Sequence, residues 1–296
     1  MRIEEVAEKT CRLEIRIEGS GIIFSVYLIQ AGGGVVIEPG PTAVVPAILE
    51  GMKEAGMSEI SLIIPTHIHM DHAGGTGRLA QLFPNARVLS HPESAPHFVD
   101  PVRLIRGTRQ TYGEDFELCY GAVLPVPWLQ VKMVSDGEIV DTGERELCIY
   151  HAPGHAPHHI AILDGKTGAL FCGEALGMPT DDPLPAAAAP GFDLDASVET
   201  MEKLGMLKPS MLLYSHGGVG LSPQWRISRA MESTRNYGEM ILQSIKNGEG
   251  REEISRKVLE WSSARFPPNW DGDMIRVWLT GMVEGYTIFF RNRGMA

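Results

Sequence analysis

The chain has 296 residues, 44% of them hydrophobic and 21% charged, with a formal net charge of -11. That length buries one large core, or one domain with an appendage. The acidic balance argues against a general nucleic-acid binder, which needs a basic footprint, and the longest apolar run near the N-terminus, Ile22 to Ile29, is too short to span a bilayer.

Met1 to Lys9 has no basic segment followed by an apolar one, so no signal peptide is expected. The reading is of a soluble, cytoplasmic protein that meets neither membrane nor nucleic acid. Arg12 to Glu18 alternates as a half-buried strand does, Gly19-Ser20-Gly21 reads as a turn, and Ile22 to Ile29 and Val35 to Ile37 read as strands joined through Ala31 to Gly34. Ala43 to Ala55 has helical spacing and stops near Gly56. Ile60 to Ile64 is a short apolar strand ending at Pro65. Gly75 to Leu82 fits a helix and Ala86 to Ser90 a strand, and this succession predicts an α/β layer arrangement.

Glu93 to Tyr120 mixes Pro, aromatic and charged residues with weak helical periodicity, and reads as a helical insertion lying over a site. Val131 to Val134, Leu147 to Tyr150, His159 to Leu163 and Ala169 to Cys172 read as strands. Asp181 to Pro190, rich in Pro and Ala, is expected to be a loop, Leu194 to Leu204 a helix and Met211 to Tyr214 a strand. From Pro223 the pattern is helical, broken at Asn247-Gly248 and Pro267-Pro268. The expected organisation is a catalytic domain over 1–222, with the insertion at 93–120, and a helical extension over 223–296 packed on the core. The extension is also a candidate homodimer interface. Cys11, Cys119, Cys148 and Cys172 form no C-x-x-C pair and sit in or beside apolar runs, so they are expected to be reduced core residues.

All ten histidines lie between His67 and His216. The run Thr66-His67-Ile68-His69-Met70-Asp71-His72 packs three imidazoles and a carboxylate into six residues, the ligand types a borderline cation such as zinc prefers. Residues i and i+2 of an extended segment point the same way, so His67 and His69 suit one ion, with Asp71 and His72 turning toward a second. Burying four such groups without a cation is costly. A second cluster, His151-Ala152-Pro153-Gly154-His155-Ala156-Pro157-His158-His159, offers His155 after a Pro-Gly turn. His159 opens an apolar strand and is a candidate catalytic residue acting through a hydrogen bond. His151 and His158 fit a surface or core role as well as a ligand role. Glu174, in Phe171-Cys172-Gly173-Glu174, is placed to bridge two cations, and His216, beside Gly217-Gly218, is a further ligand candidate.

In this order the residues resemble the metallo-β-lactamase-fold superfamily of metallo-hydrolases over about residues 26–218, with Pro153 to His159 most similar to its glyoxalase II-like and lactonase-like branch. The resemblance implies an α/β fold, a four-layer αβ/βα sandwich with its site at one edge of the two sheets. It implies two divalent metal ions, zinc first, with iron and manganese also compatible. His67, His69 and His155 would hold one ion, Asp71, His72 and His216 the other, and Glu174 would bridge them. Two positions depart from the family pattern. The bridging residue and an acidic residue after an early strand are usually Asp, and here they are Glu174 and Glu38.

The implied chemistry is hydrolysis of an ester, thioester or lactone by a water activated between two cations, with Asp71 also orienting the nucleophile. No Gly-x-Ser-x-Gly elbow suggests a protein nucleophile. Phosphodiester or phosphotriester hydrolysis uses the same ligands and is the alternative; β-lactam hydrolysis and di-iron redox chemistry come after it. The substrate is expected to be a small molecule, contacted by the insertion and the 181–190 loop, with His97, Phe98, Arg109 and Tyr112 as candidate pocket residues.

Overall fold

In this computed structural model the described residues are 1–17, 23–112, 116–180, 182–267 and 270–295, without the side chains of 110–112 and 117–118. The expected turn at Gly19-Ser20-Gly21 and the residue Pro268 lie outside them.

Four strands begin the chain: β1 (Arg2–Ala7), β2 (Thr10–Arg16), β3 (Ile23–Ile29) and β4 (Val35–Ile37) pair as an antiparallel meander. Three short strands then add in parallel, β5 (Leu62–Ile64), β6 (Arg87–Ser90) and β7 (Val131–Met133), completing a seven-stranded sheet in sequential order. Parallel neighbours need long crossovers, and here these are α1 (Val45–Glu54), the histidine run with α2 (Met70–Ala73) and α3 (Thr76–Leu82), and the segment holding α4 (Ala95–Val99), α5 (Val102–Tyr112) and α6 (Phe116–Tyr120). The insertion is thus three helices.

The second sheet has six strands: β8 (Ile139–Asp141), β9 (Glu146–His151), β10 (Ile160–Asp164), β11 (Ala169–Gly173), β12 (Met211–Tyr214) and β13 (Val219–Gly220). Only β11 and β12 run parallel, with α7 (Leu194–Met206) between them in the chain. The Asp193 carboxylate caps α7 by accepting the Ala196 N–H at 2.9 Å. Three strands were not anticipated. The acidic and apolar alternation of Arg2–Ala7 is a strand, and β8 and β13 are too short to show a period.

The two sheets stack face to face through Tyr27, Ile37, Ile64 and Leu89 of the first and Leu147, Ile149, Ile162, Phe171 and Leu213 of the second. The outer face of the first sheet buries Leu13, Val26 and Ile63 against Ile48 of α1 and Leu79 of α3. The outer face of the second buries Leu170 and Leu212 against Met201 and Leu204 of α7. The order of layers is therefore helices, sheet, sheet, helices. Each such fully buried side chain contributes roughly 1.5–3 kcal/mol by leaving water.

Three further helices follow: α8 (Pro223–Lys246), α9 (Arg251–Ser262) and α10 (Gly272–Asn292). Ile227 and Ala230 of α8 pack under the second sheet, while Tyr237 and Ile241 pack with Trp278, Met282 and Tyr286 of α10 and with Leu184, Ala187 and Phe192. The extension therefore continues the outer layer of the sandwich and has a core of its own. Cys11 and Cys172 are buried, Cys119 and Cys148 half-buried, and all four are free thiols. Among the described residues, no helix is long and apolar enough to cross a membrane.

Candidate metal centre

The functional side chains gather where strands end. Glu38 follows β4, the 66–72 segment follows β5, Glu174 follows β11 directly, and His216 follows β12 by two residues. These are the carboxyl ends of the parallel strands of both sheets, the edge where open α/β sheets bind ligands. Backbone bonds join the sheets at this edge: the Ile160 N–H donates to Thr66 O at 2.8 Å, and the Ser25 N–H to Ser215 O at 2.8 Å.

Two sets of donor atoms form there. His67, His69, His155 and Glu174 make the first, and Asp71, His72 and His216 the second. His67 Nε2 lies 2.9 Å from His69 Nδ1, which lies 3.1 Å from His155 Nε2. Asp71 Oδ2 lies 3.3 Å from His72 Nε2 and 3.4 Å from His216 Nε2. Glu174 Oε2 faces both sets, at 2.9 Å from His155 Nε2, 3.6 Å from His67 Nε2 and 3.4 Å from His72 Nε2. The structure thus brings together all seven residues that the resemblance named. The backbone explains the division. His67 and His69 lie in the non-helical stretch before α2, with His69 at φ -58° and ψ 145°, whereas Asp71 and His72 sit on the single turn of α2.

The outward nitrogens of four imidazoles are already engaged. His155 Nδ1 bonds to Ala186 O at 2.9 Å and His216 Nδ1 to Ile23 O at 2.9 Å. His72 Nδ1 meets Glu38 Oε2 at 2.6 Å, and His67 Nδ1 meets Thr66 Oγ1 at 3.0 Å. A carbonyl or carboxylate acceptor fixes the proton on Nδ1 and turns the Nε2 lone pair inward. His72 Nε2 is buried with no hydrogen-bond partner among the described residues. Converging imidazole lone pairs and two carboxylates in a buried cradle are the donor set of a divalent cation, so the residues present fit the metal that the family pattern implies.

The charges agree. Burial pushes the His69 pKa down to about 3 and, with the neighbouring imidazoles, holds His67 well below its usual range. Burial works to raise Asp71 and Glu174, but the facing imidazoles outweigh it and keep both carboxyls well below theirs. Burial opposes protonation of His72, but Asp71 and Glu38 override it and raise that pKa well above the imidazole range. Burial likewise opposes protonation of His155 and His216, but Glu174 raises the first and Asp71 the second, so the edge sets two ionised carboxylates against two imidazoles kept neutral, His67 and His69, and three that those carboxylates draw toward the charged form.

Glu38 and His159 support the ligands without joining them. Glu38 is 3% exposed, adopts a left-handed φ of 59°, and accepts the Thr66 N–H at 3.3 Å while it engages His72. His159 is fully buried, its ring stacked on that of His67 at 4.9 Å. The sequence suggested a catalytic His159 that donates a hydrogen bond. Instead its Nε2 accepts the Glu174 N–H at 3.2 Å, so it positions the backbone of Glu174 and meets no open space. Gly173, at φ 54°, makes this contact feasible: a Cβ there would stand 2.5 Å from His159 Nε2 and 2.7 Å from Thr66 Oγ1. We expect Gly173→Ala to break the His159–Glu174 bond and lower both metal retention and melting temperature; a variant that keeps wild-type metal content after dialysis would refute this role.

Other candidates take plainer places. Phe98 is almost fully buried in the core against the first sheet and, with His97, lines a small cavity beside Ile68 and Met70. His97 is half-buried on α4, and the Arg109 guanidinium lies 5.0 Å from the centre of the Phe116 ring. The side chain of Tyr112 lies outside the described set. His151 Nε2 donates to Val134 O at 3.0 Å and its ring lies 4.2 Å from that of His91. The His158 ring stands 6.2 Å from that of His69 but outside both donor sets.

Comparison with known proteins bears on this edge directly. Residues 21–216, from β3 through the last histidine, match the model of the metallo-beta-lactamase superfamily. The metallo-beta-lactamase fold-containing protein ST1585 of Sulfurisphaera tokodaii is 25% identical over 207 residues, 69% of this chain and 77% of that protein. Its crystal structure superposes with a TM-score of 0.69 at 20% identity, covering 96% and 98% of the two chains. The metallo-beta-lactamase family protein TTHA1429 of Thermus thermophilus superposes with a TM-score of 0.73 at 20% identity, over 98% of this chain and 95% of that one. A hydroxyacylglutathione hydrolase of Synechococcus is 30% identical over 141 residues, 48% of this chain and 43% of that enzyme. An uncharacterised Aquifex aeolicus protein is 29% identical over 147 residues, and the match spans 61% of its length. Superfamily members are mostly metallo-hydrolases whose sites are built of His, Asp and Glu. With the family's model spanning the same strands and ligands that the structure assembles, the chain belongs to the metallo-beta-lactamase superfamily.

Proposed function

We propose that the protein is a dinuclear, zinc-dependent hydrolase of ester, thioester or lactone bonds in a small molecule. One observation carries this reading: two donor sets lie side by side, and Glu174 Oε2 of the first lies 3.4 Å from His72 Nε2 of the second. His67, His69 and His155 would hold one ion, Asp71, His72 and His216 the other, and Glu174 faces both. Such a pair of ions supplies Lewis acidity toward a substrate oxygen and a water of lowered pKa.

The chain's own residues do the rest. Asp71 has a quarter of its side chain exposed, and is the most open of the ligand carboxylates. Ionised, it can accept a hydrogen bond from the attacking water and aim that water's lone pair at the acyl carbon. Glu38, Ala186 and Ile23 hold three of the imidazoles in one tautomer, and Thr66 helps orient His67, so little reorganisation is needed as charge develops. His67, His72 and His159 are almost fully buried and close the floor of the site to water. The acyl preference rests on the relatives named hydroxyacylglutathione hydrolase.

The test is elemental analysis of the purified chain beside a panel of aryl ester, lactone, thioester and phosphodiester substrates, before and after chelation. We expect about two ions per chain and acyl hydrolysis that chelation abolishes and added zinc restores. Activity confined to the phosphodiester would move the enzyme to the phosphoryl branch. A metal-free chain, inert after zinc is supplied, would overturn the proposal.

A further inference from the structure

Two adjacent carbonyls in the loop after β11 tie the first donor set to the C-terminal extension. Ala186 O accepts the Nδ1–H of His155 at 2.9 Å. Pro185 O accepts the Nε1–H of Trp278, on α10, at 2.9 Å in a buried bond. The loop is fixed on both sides of these carbonyls. Leu184 is fully buried in the extension's core, and its carbonyl accepts the Met178 N–H at 2.8 Å. Ala187 lies against two glycines of α10: a Cβ on Gly281 would stand 3.0 Å from Ala187 O, and one on Gly285 would stand 3.2 Å from Ala187 Cβ. Just before this stretch, Asp182 pairs with Arg229 of α8 at 2.9 Å and with Arg265 at 2.8 Å. The extension thus grips the loop at several points, and one of its carbonyls orients a ligand imidazole.

We propose that the C-terminal extension is a positioning element for the first metal set, in which Trp278 holds the 185–187 backbone so that Ala186 O fixes the ring of His155. This rests on the reading of His155 as a metal ligand. A backbone acceptor on the far nitrogen of a ligand histidine sets its tautomer and orientation and raises its basicity. The indole holds that acceptor in place from one residue away. A loop stapled to the extension only for stability would lose melting temperature when loosened, but would not lose affinity at one metal set selectively.

The experiment uses the full chain with His216→Ala as the parent, so that the first set is read alone, and Co²⁺ as the probe, followed by its visible absorption and by competition with a chelator. Trp278→Phe keeps a large ring and removes the N–H. Gly281→Ala adds one methyl against Ala187 O and decides the matter if Trp278→Phe is too unstable to titrate. Tyr286→Phe is the control on the same helix, since its hydroxyl donates to Thr234 O at 2.8 Å within the extension. We expect Trp278→Phe and Gly281→Ala to bind Co²⁺ about tenfold more weakly than the parent, at the lower end of the range for lost support of a ligand histidine, and Tyr286→Phe to match the parent. Equal affinity in all three variants, or equal weakening by Tyr286→Phe, would overturn the positioning role. A chain with intact His216 that binds no Co²⁺ would overturn this role together with the metal reading, whereas one that binds two ions with unaltered variants would overturn the positioning role alone.

Discussion

Asp71→Ala lowers kcat/KM on the acyl substrate by at least about a hundredfold, the scale on which a pre-organised electrostatic group acts, and leaves the purified chain with about one ion instead of two. The second donor set contains one carboxylate of its own, and Asp71 Oδ2 faces both of its imidazoles, at 3.3 and 3.4 Å. Without it, the set keeps two imidazoles and whatever share of Glu174 the first set leaves. A dication in a buried cradle needs that charge. Asp71→Asn separates the two contributions, since it keeps the shape and removes the charge. We expect Asn to keep more of the second ion than Ala but to recover little of the rate, because a neutral amide oxygen is a weaker acceptor for the attacking water and brings no charge to the second set. Two ions per chain with activity within tenfold of wild type would exclude Asp71 from the centre.

The second large effect lies away from the site, in stability. Arg145 and Asp164 form an ion pair with side chains 1% and 0% exposed. The Arg145 guanidinium also donates to Glu8 O, and Asp164 accepts from the Lys166 N–H at 3.0 Å and the Thr167 hydroxyl at 2.7 Å. The pair fastens the hairpin β1–β2 to the end of β10. Arg145→Met leaves a carboxylate buried without its counter-charge and should cost about 3–5 kcal/mol, lowering the melting temperature by on the order of 10 °C. The double variant Arg145→Met with Asp164→Leu should recover most of that loss, since the pair's own desolvation disappears with it. Thermal or urea unfolding of the three chains decides; a single variant within about 1 kcal/mol of wild type would mean the hairpin holds by packing alone.

What could be read from the sequence followed the range of the interactions. His67, His69, Asp71 and His72 are neighbours in the chain, so their donor chemistry shows in one short run. His155, Glu174 and His216 each carry a weak signal, and only their order within a family pattern gave them weight. The supports were harder. Ala186 and Ile23 act through backbone carbonyls, which every residue possesses, so nothing in their side chains marks them. His159 was noticed, yet which way its hydrogen bond runs depends on where the Glu174 N–H points. Among the elements, the long apolar strands of the sandwich showed their period, whereas β8, β13 and the single turn of α2 are shorter than any period can establish. Phe98 lay in a polar, irregular stretch, and its burial against the first sheet depends on contacts distant in the chain that the stretch itself does not show.

The division of the ligands between the sheets has a consequence for how the chain assembles. The first sheet supplies Glu38 and the run 67–72, and the second supplies His155, Glu174 and His216. Neither half of the sandwich owns a complete cradle, so ions cannot be captured until the halves have docked in register. On the proposed metal reading, ion uptake would be a late event in folding and a reporter of sheet docking, and a bound ion would act as a clasp. At a free-ion concentration a thousand times its dissociation constant, each clasp adds about 4 kcal/mol against unfolding. If the chain binds ions as proposed, their removal should lower its melting temperature as well as its activity.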